Sequence, residues 1–179
     1  FNDLGTLSKD ERRVLEPILN IIAQTGNKHR VDFIDCRSQQ ELAGCYRFFA
    51  RRNSVFALTA FYEPFGLAPI DAAACGLAVV ATQNGGPSEI LVGGSGVLVD
   101  PTNAEDIARG LLQGIAHAAD YARRGRRRVQ MTYTWAKTAE RYLEVITRGA
   151  SQAQPWEGGD DTAYTALDAS RRIQAFVRP

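Results

Sequence analysis

Residues 61–71 read FYEPFGLAPID and join an apolar run, residues 55–60, to a segment of small apolar side chains. The run at 55–60 has the length and composition of a buried strand, and the segment that begins at Leu67 favours a helix lying close to a sheet. Pro69 suits the first turn of a helix, where its missing N–H is no loss. Residues 78–82, AVVAT, then read as a second strand. The pattern predicts a strand, a loop, a helix and a strand, in that order.

Two acidic residues flank the turn that opens this helix. Glu63 lies in the loop, Asp71 lies about one turn inside the helix, and Gly66 lets the backbone approach a ligand closely. Free N–H groups at a helix N-terminus attract anions, and carboxylates accept hydrogen bonds from sugar hydroxyls. The stretch therefore favours a pocket for a phosphorylated, hydroxyl-rich ligand. The same residues also suit a packed turn whose acids serve only the helix dipole.

Helical and strand patterns alternate along most of the chain. Ser8 and Glu11 have the spacing of a capping box, which predicts the start of a helix. Further patterns predict a strand at 31–35, a helix at 38–52, a strand at 96–100 and an amphipathic helix at 103–116. Strands that alternate with helices predict an α/β fold with a doubly wound, Rossmann-like parallel sheet. Ligands of such folds bind at the carboxyl ends of the strands.

The composition excludes several classes of protein. The chain has 179 residues, 45% hydrophobic residues and a net charge of +1, so it can bury one core but offers no field for nucleic acid or membrane binding. Its three cysteines form no CxxC pair, which suits reduced thiols in the cytoplasm. His29 and His117 are isolated, so no metal cofactor is expected. The arginine run at 123–128 is interpreted as a solvated helix face.

Several ordered motifs between Val31 and Ile146 match one family. EPFGL at 63–67 is followed by an acid eight positions after Glu63, then by GLAVVAT at 76–82 and NGGP at 84–87. In this order the motifs resemble the retaining glycosyltransferases of the GT-B fold, and among them the sucrose-phosphate and mannosylfructose-phosphate synthases. The resemblance implies that the chain is most of the C-terminal, donor-binding domain of such an enzyme, without its start.

The resemblance implies a role for each matching residue of the motif. Glu63 would contact the donor sugar and is the catalytic candidate. The backbone of Phe65, Gly66 and Leu67 would cradle the diphosphate, and Asp71 would bind the ribose hydroxyls. The family usually has Glu at this second position. Because Asp is shorter by roughly 1.5 Å, direct ribose binding requires a closer helix or a bridging water.

Two further turns are candidates for donor binding. Arg37 lies in the turn after the predicted strand at 31–35, and the resemblance implies that this turn recognises the nucleobase. Ser38 next to it is more simply interpreted as a helix N-cap. Gly85 and Gly86 permit left-handed backbone angles and close approach to a ligand. The resemblance places their loop near the donor, although a GGP sequence is by itself usually only a turn.

The resemblance also implies the reaction and the partners. A hexosyl unit would pass from UDP-glucose or GDP-mannose to a sugar phosphate such as fructose 6-phosphate, with the nucleotide sugar as substrate and no other cofactor. The basic pair and the acceptor-binding domain of the family would lie upstream of Phe1, so this chain alone is expected to be inactive. The alternative is a non-catalytic nucleotide-binding or interaction module. An oxidoreductase is disfavoured because no GxGxxG joins a strand to a helix.

The predicted organisation has three parts. Residues 1–148 form the donor-binding domain, residues 149–161 form a polar linker, and residues 162–179 form a C-terminal helix, the candidate crossover helix between the two GT-B domains. The pattern of this tail does not choose between a helix and an unstructured segment. Trp135 and Tyr142 lie seven positions apart and are predicted to face the core from one helix.

Overall fold

The computed structural model describes residues 8–152, and the chain divides into two compact units, Phe1–Leu42 and Ala43–Pro179. In the first unit, helix α1 spans Lys9–Gln24 and begins with the predicted capping box. The Ser8 hydroxyl accepts a hydrogen bond from the Glu11 N–H at 3.3 Å, and the Glu11 carboxylate accepts one from the Ser8 N–H at 2.8 Å. These two bonds satisfy N–H groups that a helix start would otherwise leave unpaired.

The predicted strand at 31–35 is not confirmed. Residues 31–37 belong to no strand in the described part of the chain. The side chains of Val31, Phe33 and Ile34 are exposed by 41%, 40% and 58%. An apolar run acquires strand geometry only when a neighbouring strand pairs with its N–H and C=O groups, and composition alone does not supply that neighbour.

Most of the other predicted elements are confirmed, with their ends shifted by a few residues. Helix α2, Gln39–Ala50, begins in the first unit and continues into the second. The second unit then contains β1 Val55–Leu58, α3 Leu67–Ala74, β2 Ala78–Thr82, α4 Gly86–Ile90, β3 Val97–Val99, α5 Ala104–Ala116, α6 Ala118–Thr132 and α7 Trp135–Gln152. Short 3-10 turns occur at Lys28–Arg30 and Val92–Gly94.

The three strands form one parallel sheet in the order β1-β2-β3. Val55 of β1 pairs with Ala78 of β2, and Val80 of β2 pairs with Val97 of β3. The central strand β2 is buried along its whole length. Parallel neighbours require crossover connections, which α3 provides between β1 and β2, and this confirms the predicted α/β sheet.

Alternate residues of β2 divide the hydrophobic core into two layers. Val79 and Ala81 pack with side chains of α3 and the C-terminal half of α6. Ala78 and Val80 pack on the opposite face with Val97 and Val99, against which α5 and the first turn of α6 lie. Because successive strand side chains point to opposite faces, a strand of small apolar residues can serve both layers.

Helix α5 approaches the sheet closely because two of its residues are glycines. A Cβ atom at Gly110 would lie 2.2 Å from Val99 Cγ1, and one at Gly114 would lie 2.7 Å from Val80 Cγ2. Both glycines are buried. The N-terminus of the helix is capped by Asn103, whose side chain accepts hydrogen bonds from Glu105 and Asp106 N–H groups at 3.0 and 3.2 Å. The missing side chains thus set the distance between α5 and the sheet.

The arginine run on α6 is only partly a solvated face. Arg128 donates from Nε to the Ile90 carbonyl at 2.6 Å and from Nη2 to the Glu89 carbonyl at 2.9 Å. These carbonyls lie at the C-terminal end of α4, where a cation is stabilised by the unpaired acceptors. Arg124 pairs with Asp120 at 2.5 Å. One member of the run therefore holds α4 in place, a role that the sequence interpretation missed.

The structure corrects two predictions about α7. Trp135 is 91% exposed and Tyr142 is 67% exposed, so the prediction that both face the core is wrong for the described residues. Their spacing places two side chains on one helix face, but it does not provide a surface that covers that face. The helix also continues to Gln152, four residues into the predicted linker. The remaining linker and the predicted C-terminal helix lie outside the described residues.

The connection from β3 to α5 gives the unit an acid-sensitive contact. The Asp106 carboxylate accepts hydrogen bonds from the Asp100 N–H and from Arg109 Nε, each at 2.8 Å. The Asp100 N–H, and after it Arg109, holds the pKa of Asp106 below its usual value of 3.8. A carboxyl group with a lower pKa in the folded state stabilises the fold above its unfolded pKa, and this contribution is lost as the pH falls through the folded pKa.

We expect Asp106→Asn to reduce the decrease in stability that occurs when the pH is lowered. The variant should be less stable than the parent protein near neutral pH, and the difference should shrink as the pH falls below about 4 and through the lowered pKa of the folded parent carboxyl. Urea unfolding midpoints measured from about pH 7 to about pH 3 would check this. Glu105→Gln is the matched control, because the Glu105 carboxylate has no hydrogen-bond partner within residues 8–152. Parallel pH profiles for the parent and the Asp106 variant would contradict the assignment.

Candidate functional site

Two loops meet at the carboxyl edge of the sheet. Loop A, residues 61–66, follows β1 and leads into α3, and loop B, residues 83–86, follows β2 and leads into α4. Because the strands are parallel, both loops leave the sheet at the same edge, where ligands of open α/β sheets bind. The loops contain five of the residues that the sequence indicated as candidates for donor binding, namely Glu63, Phe65, Gly66, Gly85 and Gly86.

The main chain of Glu63 joins the two loops. Its N–H donates to the Asn84 carbonyl at 3.1 Å, and its carbonyl accepts from the Gly86 N–H at 2.8 Å. Glu63 and Gly85 form an isolated parallel bridge. These bonds extend the pairing of β1 with β2 beyond the ends of the strands. The structure therefore brings together predicted residues that are about twenty positions apart in the sequence.

The side chain of Glu63 folds back onto its own loop. Its Oε1 accepts hydrogen bonds from the Phe65 N–H at 3.2 Å and from the Gly66 N–H at 2.8 Å. Two N–H groups of the predicted diphosphate cradle are thus bonded to an internal carboxylate. Within residues 8–152, the next two N–H groups, those of Leu67 and Ala68, have no acceptor. They lie in the first turn of α3, at the positive end of its dipole.

Loop B approaches loop A so closely that its two glycines cannot carry side chains. Gly85 has φ +94° and ψ −147°, a conformation that is essentially restricted to glycine. A Cβ atom there would lie 2.2 Å from the Glu63 carbonyl oxygen, and one on Gly86 would lie 2.6 Å from the Phe65 carbonyl oxygen. Both obstacles are backbone atoms, which cannot move aside. The glycine pair that the sequence singled out is needed for the contact between the loops.

Asp71 lies on α3, one turn after the two open N–H groups. Asp71 is exposed, and its carboxylate has no hydrogen-bond or ion-pair partner among the described residues. An exposed carboxylate beside N–H donors can accept bonds from the hydroxyls of a ligand whose anionic group the helix holds. Within residues 8–152, no hydrogen bond or ion pair gives this carboxylate a structural role.

Four large apolar side chains in loop A and at the start of α3 are exposed. Phe61, Tyr62, Phe65 and Leu67 are exposed by 76%, 66%, 75% and 67%. Neither Phe61 nor Tyr62 was predicted from the sequence to have a role at this site. Aromatic residues in a loop without a core pattern are the signal that could have indicated them. Exposed apolar surface around a few polar groups is typical of a binding site.

Arg37 belongs to the Phe1–Leu42 unit and lies in the turn before α2. Its Nε donates to Asp35 at 2.8 Å, and this hydrogen bond raises the pKa of Arg37. Its N–H donates to the Glu41 carboxylate at 2.7 Å, and the Ser38 hydroxyl accepts from the Glu41 N–H at 3.1 Å. These bonds confirm that Ser38 caps the helix. The role of Arg37 toward a nucleobase stays a prediction.

A concave surface lies at the other end of α3, away from the two loops. This recess, of about 540 Å³, is bordered by Gly76 and by α6 residues that include Arg123, Arg126 and Arg127. It is remote from loops A and B along α3, because Gly76 follows the C-terminus of that helix. We place the candidate site at the loops, since they combine convergent N–H donors with carboxylates at the carboxyl edge of the sheet.

Neither a metal site nor a membrane span is indicated by the described residues. Within 8–152, no three His, Cys, Asp or Glu side chains are grouped as ligands of a metal ion would be. No helix in that range is both long and apolar enough to cross a bilayer. The polar groups considered for ligand binding at the loops are backbone N–H groups and the carboxylates of Glu63 and Asp71.

Known proteins are similar to this chain in sequence and in fold. The family described as glycosyl transferases group 1 matches residues 11–128. A probable sucrose-phosphate synthase of Thermosipho melanesiensis is 38% identical over 128 residues, which cover 71% of this chain and 30% of that protein. The sucrose-phosphate synthase of Spinacia oleracea is 32% identical over 181 residues, covering 97% of this chain and 17% of the relative.

A solved structure agrees with these relatives. A sucrose-phosphate synthase from Thermosynechococcus elongatus superposes with a TM-score of 0.66 and 27% identity, covering 84% of this chain and 37% of that chain. The chain therefore spans less than two fifths of each of these three relatives. Its parallel α/β sheet has the fold of a GT-B glycosyltransferase domain. Because the family match extends over more than half of the sequence, the chain belongs to the group 1 glycosyl transferases.

Proposed function

We propose that this chain is the donor-binding portion of a retaining glycosyltransferase that moves a hexosyl unit from a nucleoside diphosphate sugar to a sugar phosphate. The observation that supports this most is the N-terminus of α3. Open N–H groups of Leu67 and Ala68 lie there, in the segment of chain between the acidic residues Glu63 and Asp71. N–H groups suit a diphosphate, and carboxylates suit the hydroxyls of a ribose and a hexose. UDP-glucose and GDP-mannose are the two donors proposed, and fructose 6-phosphate is the acceptor proposed.

The chemical contribution of this portion is electrostatic. When the glycosidic bond breaks, negative charge develops on the leaving diphosphate. The first turn of α3 would stabilise that charge with fixed N–H dipoles, without reorganising and without a metal ion. Because Phe65 and Gly66 already donate to Glu63 Oε1, we assign the anion contact first to Leu67 and Ala68. The second carboxylate oxygen of Glu63 is left to orient the donor sugar.

The remaining assignments complete the donor site. Asp71 would accept hydrogen bonds from the ribose hydroxyls, with a bridging water where its shorter side chain does not reach. The backbone of Gly85 and Gly86 would face the donor sugar from loop B. The turn at Arg37 would recognise the nucleobase. Acceptor binding would belong to a part of the whole glycosyltransferase that this chain does not span. We therefore expect the chain alone to bind a donor without turning it over.

Nucleotide titration tests this proposal directly. Calorimetry with UDP, GDP, UDP-glucose and GDP-mannose should find one nucleotide that binds, and Asp71→Ala should weaken its binding by about tenfold. Asp71→Glu should bind at least as tightly as the parent chain, because the longer side chain reaches the ribose directly. Glu144→Ala is the control, since Glu144 is exposed on α7 and its side chain has no partner among the described residues.

Two results would contradict the proposal. If none of the four ligands binds, the chain is better explained as a non-catalytic interaction module, whose exposed Phe61, Tyr62 and Phe65 would then contact a protein. If the isolated chain transfers hexose to fructose 6-phosphate, the assignment to one half of an enzyme is wrong.

A further inference from the structure

Asn84 bonds to both ends of the segment from Phe61 to Glu63. Its side-chain Nδ2 donates to the Phe61 carbonyl at 2.9 Å, and its main-chain carbonyl accepts from the Glu63 N–H at 3.1 Å. The Phe61 carbonyl can only accept, so the side-chain atom that faces it must be the amide nitrogen. One residue of loop B therefore fixes two separate positions of loop A.

Asn84 is itself anchored in the core. Its N–H donates to Thr82 Oγ1 at 3.2 Å, and Thr82 is completely buried at the end of β2. Its neighbour Gln83 bonds through its N–H to the Val99 carbonyl at 2.9 Å. Loop B is thus attached to both β2 and β3, and the sheet provides a rigid base from which Asn84 can hold loop A.

Glu63 fixes the other half of loop A. Its main chain is bonded to loop B on both sides, and its carboxylate holds the N–H groups of Phe65 and Gly66. Hydrogen bonds to a charged acceptor are stronger than those between neutral groups. The carboxylate thereby sets the direction in which the chain enters α3, and with it the direction of the open N–H groups of Leu67 and Ala68.

We propose that Asn84 and Glu63 are positioning residues that lock loops A and B into one preformed cradle. Neither side chain needs to contact the diphosphate in order to affect its binding. A cradle that is already ordered loses less conformational entropy when a ligand binds than two independent loops would lose. This inference rests on the proposed donor site. It adds that binding of the nucleotide itself depends on the side chains of Asn84 and Glu63. A role in sugar recognition alone would not predict that dependence.

Amide hydrogen exchange tests the lock without any ligand. Asn84→Asp keeps the size of the side chain but removes its donor, and Glu63→Ala removes the acceptor. In the full chain, each should raise the exchange rates of the Phe65, Gly66 and Gly86 amides by about tenfold. Glu63→Gln keeps a carbonyl acceptor and should restore rates to within about threefold of the parent chain. Gln83→Ala is the control, because Gln83 bonds to β3 through its main chain.

The two loops must respond together if the lock exists. Faster exchange in loop A only, with the Gly86 amide unchanged in both variants, would overturn the proposal. Exchange of the β2 amides separates a local effect from a general loss of structure, because a variant that opens only the loops keeps the parent exchange rates in β2. Urea unfolding of each variant gives its global stability for comparison. A uniform rise in exchange through β2 as well as the loops would also count against a local positioning role.

Titration with sugar-free UDP and GDP adds the second readout. Glu63→Ala should weaken binding of the nucleoside diphosphate by about tenfold, and Glu63→Gln should rescue it. If Glu63 acted only by contacting the donor sugar, its removal would leave the affinity for the sugar-free nucleotide unchanged, and the inference would be wrong while the donor site stood. If the parent chain bound neither nucleotide, the donor site would be wrong, and the exchange measurements would still decide whether the loops are locked.

Discussion

Gly85→Ala is expected to lower the free energy of unfolding by about 2–4 kcal/mol and to separate loop B from loop A. The backbone of Gly85, at φ +94° and ψ −147°, is one that an alanine adopts only under strain. The new Cβ would also meet the Glu63 carbonyl oxygen at 2.2 Å. Relief of this clash requires the backbone to move, which breaks the 2.8 Å bond from the Gly86 N–H to Glu63.

Denaturant unfolding and exchange of the Gly86 amide would measure this effect. Gly93→Ala is a matched control, because Gly93 also has a positive φ, +66°, but a Cβ there meets nothing within 4 Å. It should cost only the left-handed strain, about 1–2 kcal/mol. The difference between the two variants then measures the contact between the loops together with the greater backbone strain at Gly85. Equal losses in both variants would mean that the close approach of loop B contributes nothing to stability.

Gly110→Ala is expected to destabilise the unit by about 2 kcal/mol, against the usual stabilising effect of alanine in a helix. Its Cβ would lie 2.2 Å from Val99 Cγ1 and 3.4 Å from Val80 Cγ1. Both valines are completely buried. Helix α5 must therefore move away from the sheet or the strands must shift, and a close-packed core resists both.

The same substitution at Gly44 should have the opposite sign. Gly44 lies within α2, and a Cβ there meets nothing within 4 Å. Replacing it with alanine should stabilise the protein by about 0.5–1 kcal/mol, since alanine restricts the unfolded chain more than glycine does. Urea unfolding of both variants provides the measurement. A stabilised Gly110→Ala protein would mean that α5 does not approach the sheet as closely as its backbone indicates.

The elements that sequence reasoning predicted well are those whose pattern is local. The capping box of Ser8 and Glu11, the apolar strand at 78–82 and the amphipathic helix at 103–116 each follow from a pattern of residues that lie close together in the sequence. Local hydrogen bonds and side-chain periodicity are sufficient to specify such elements. The strand predicted at 31–35 was not confirmed, because a strand depends on a partner that its own residues do not encode.

The predictions about α6 and α7 differed from the structure for a related reason. Arg128 has the same local pattern as its neighbouring arginines, but only the position of α4 brings the Ile90 carbonyl within its reach. Trp135 and Tyr142 share a helix face, but no described element covers it. Composition indicates what a side chain would prefer, whereas the tertiary structure determines which groups it meets.

By itself, the sequence determined the parallel α/β class, the motif that identifies the family and the positions of the two acids and three glycines around the candidate site. Only the tertiary structure decided that Glu63 turns its carboxylate onto the Phe65 and Gly66 N–H groups, and that Asn84 ties loop B to loop A. The reason is that turn chemistry and periodicity act over a few residues. Contacts between loops that are about twenty residues apart exist only after the sheet has aligned the ends of its strands.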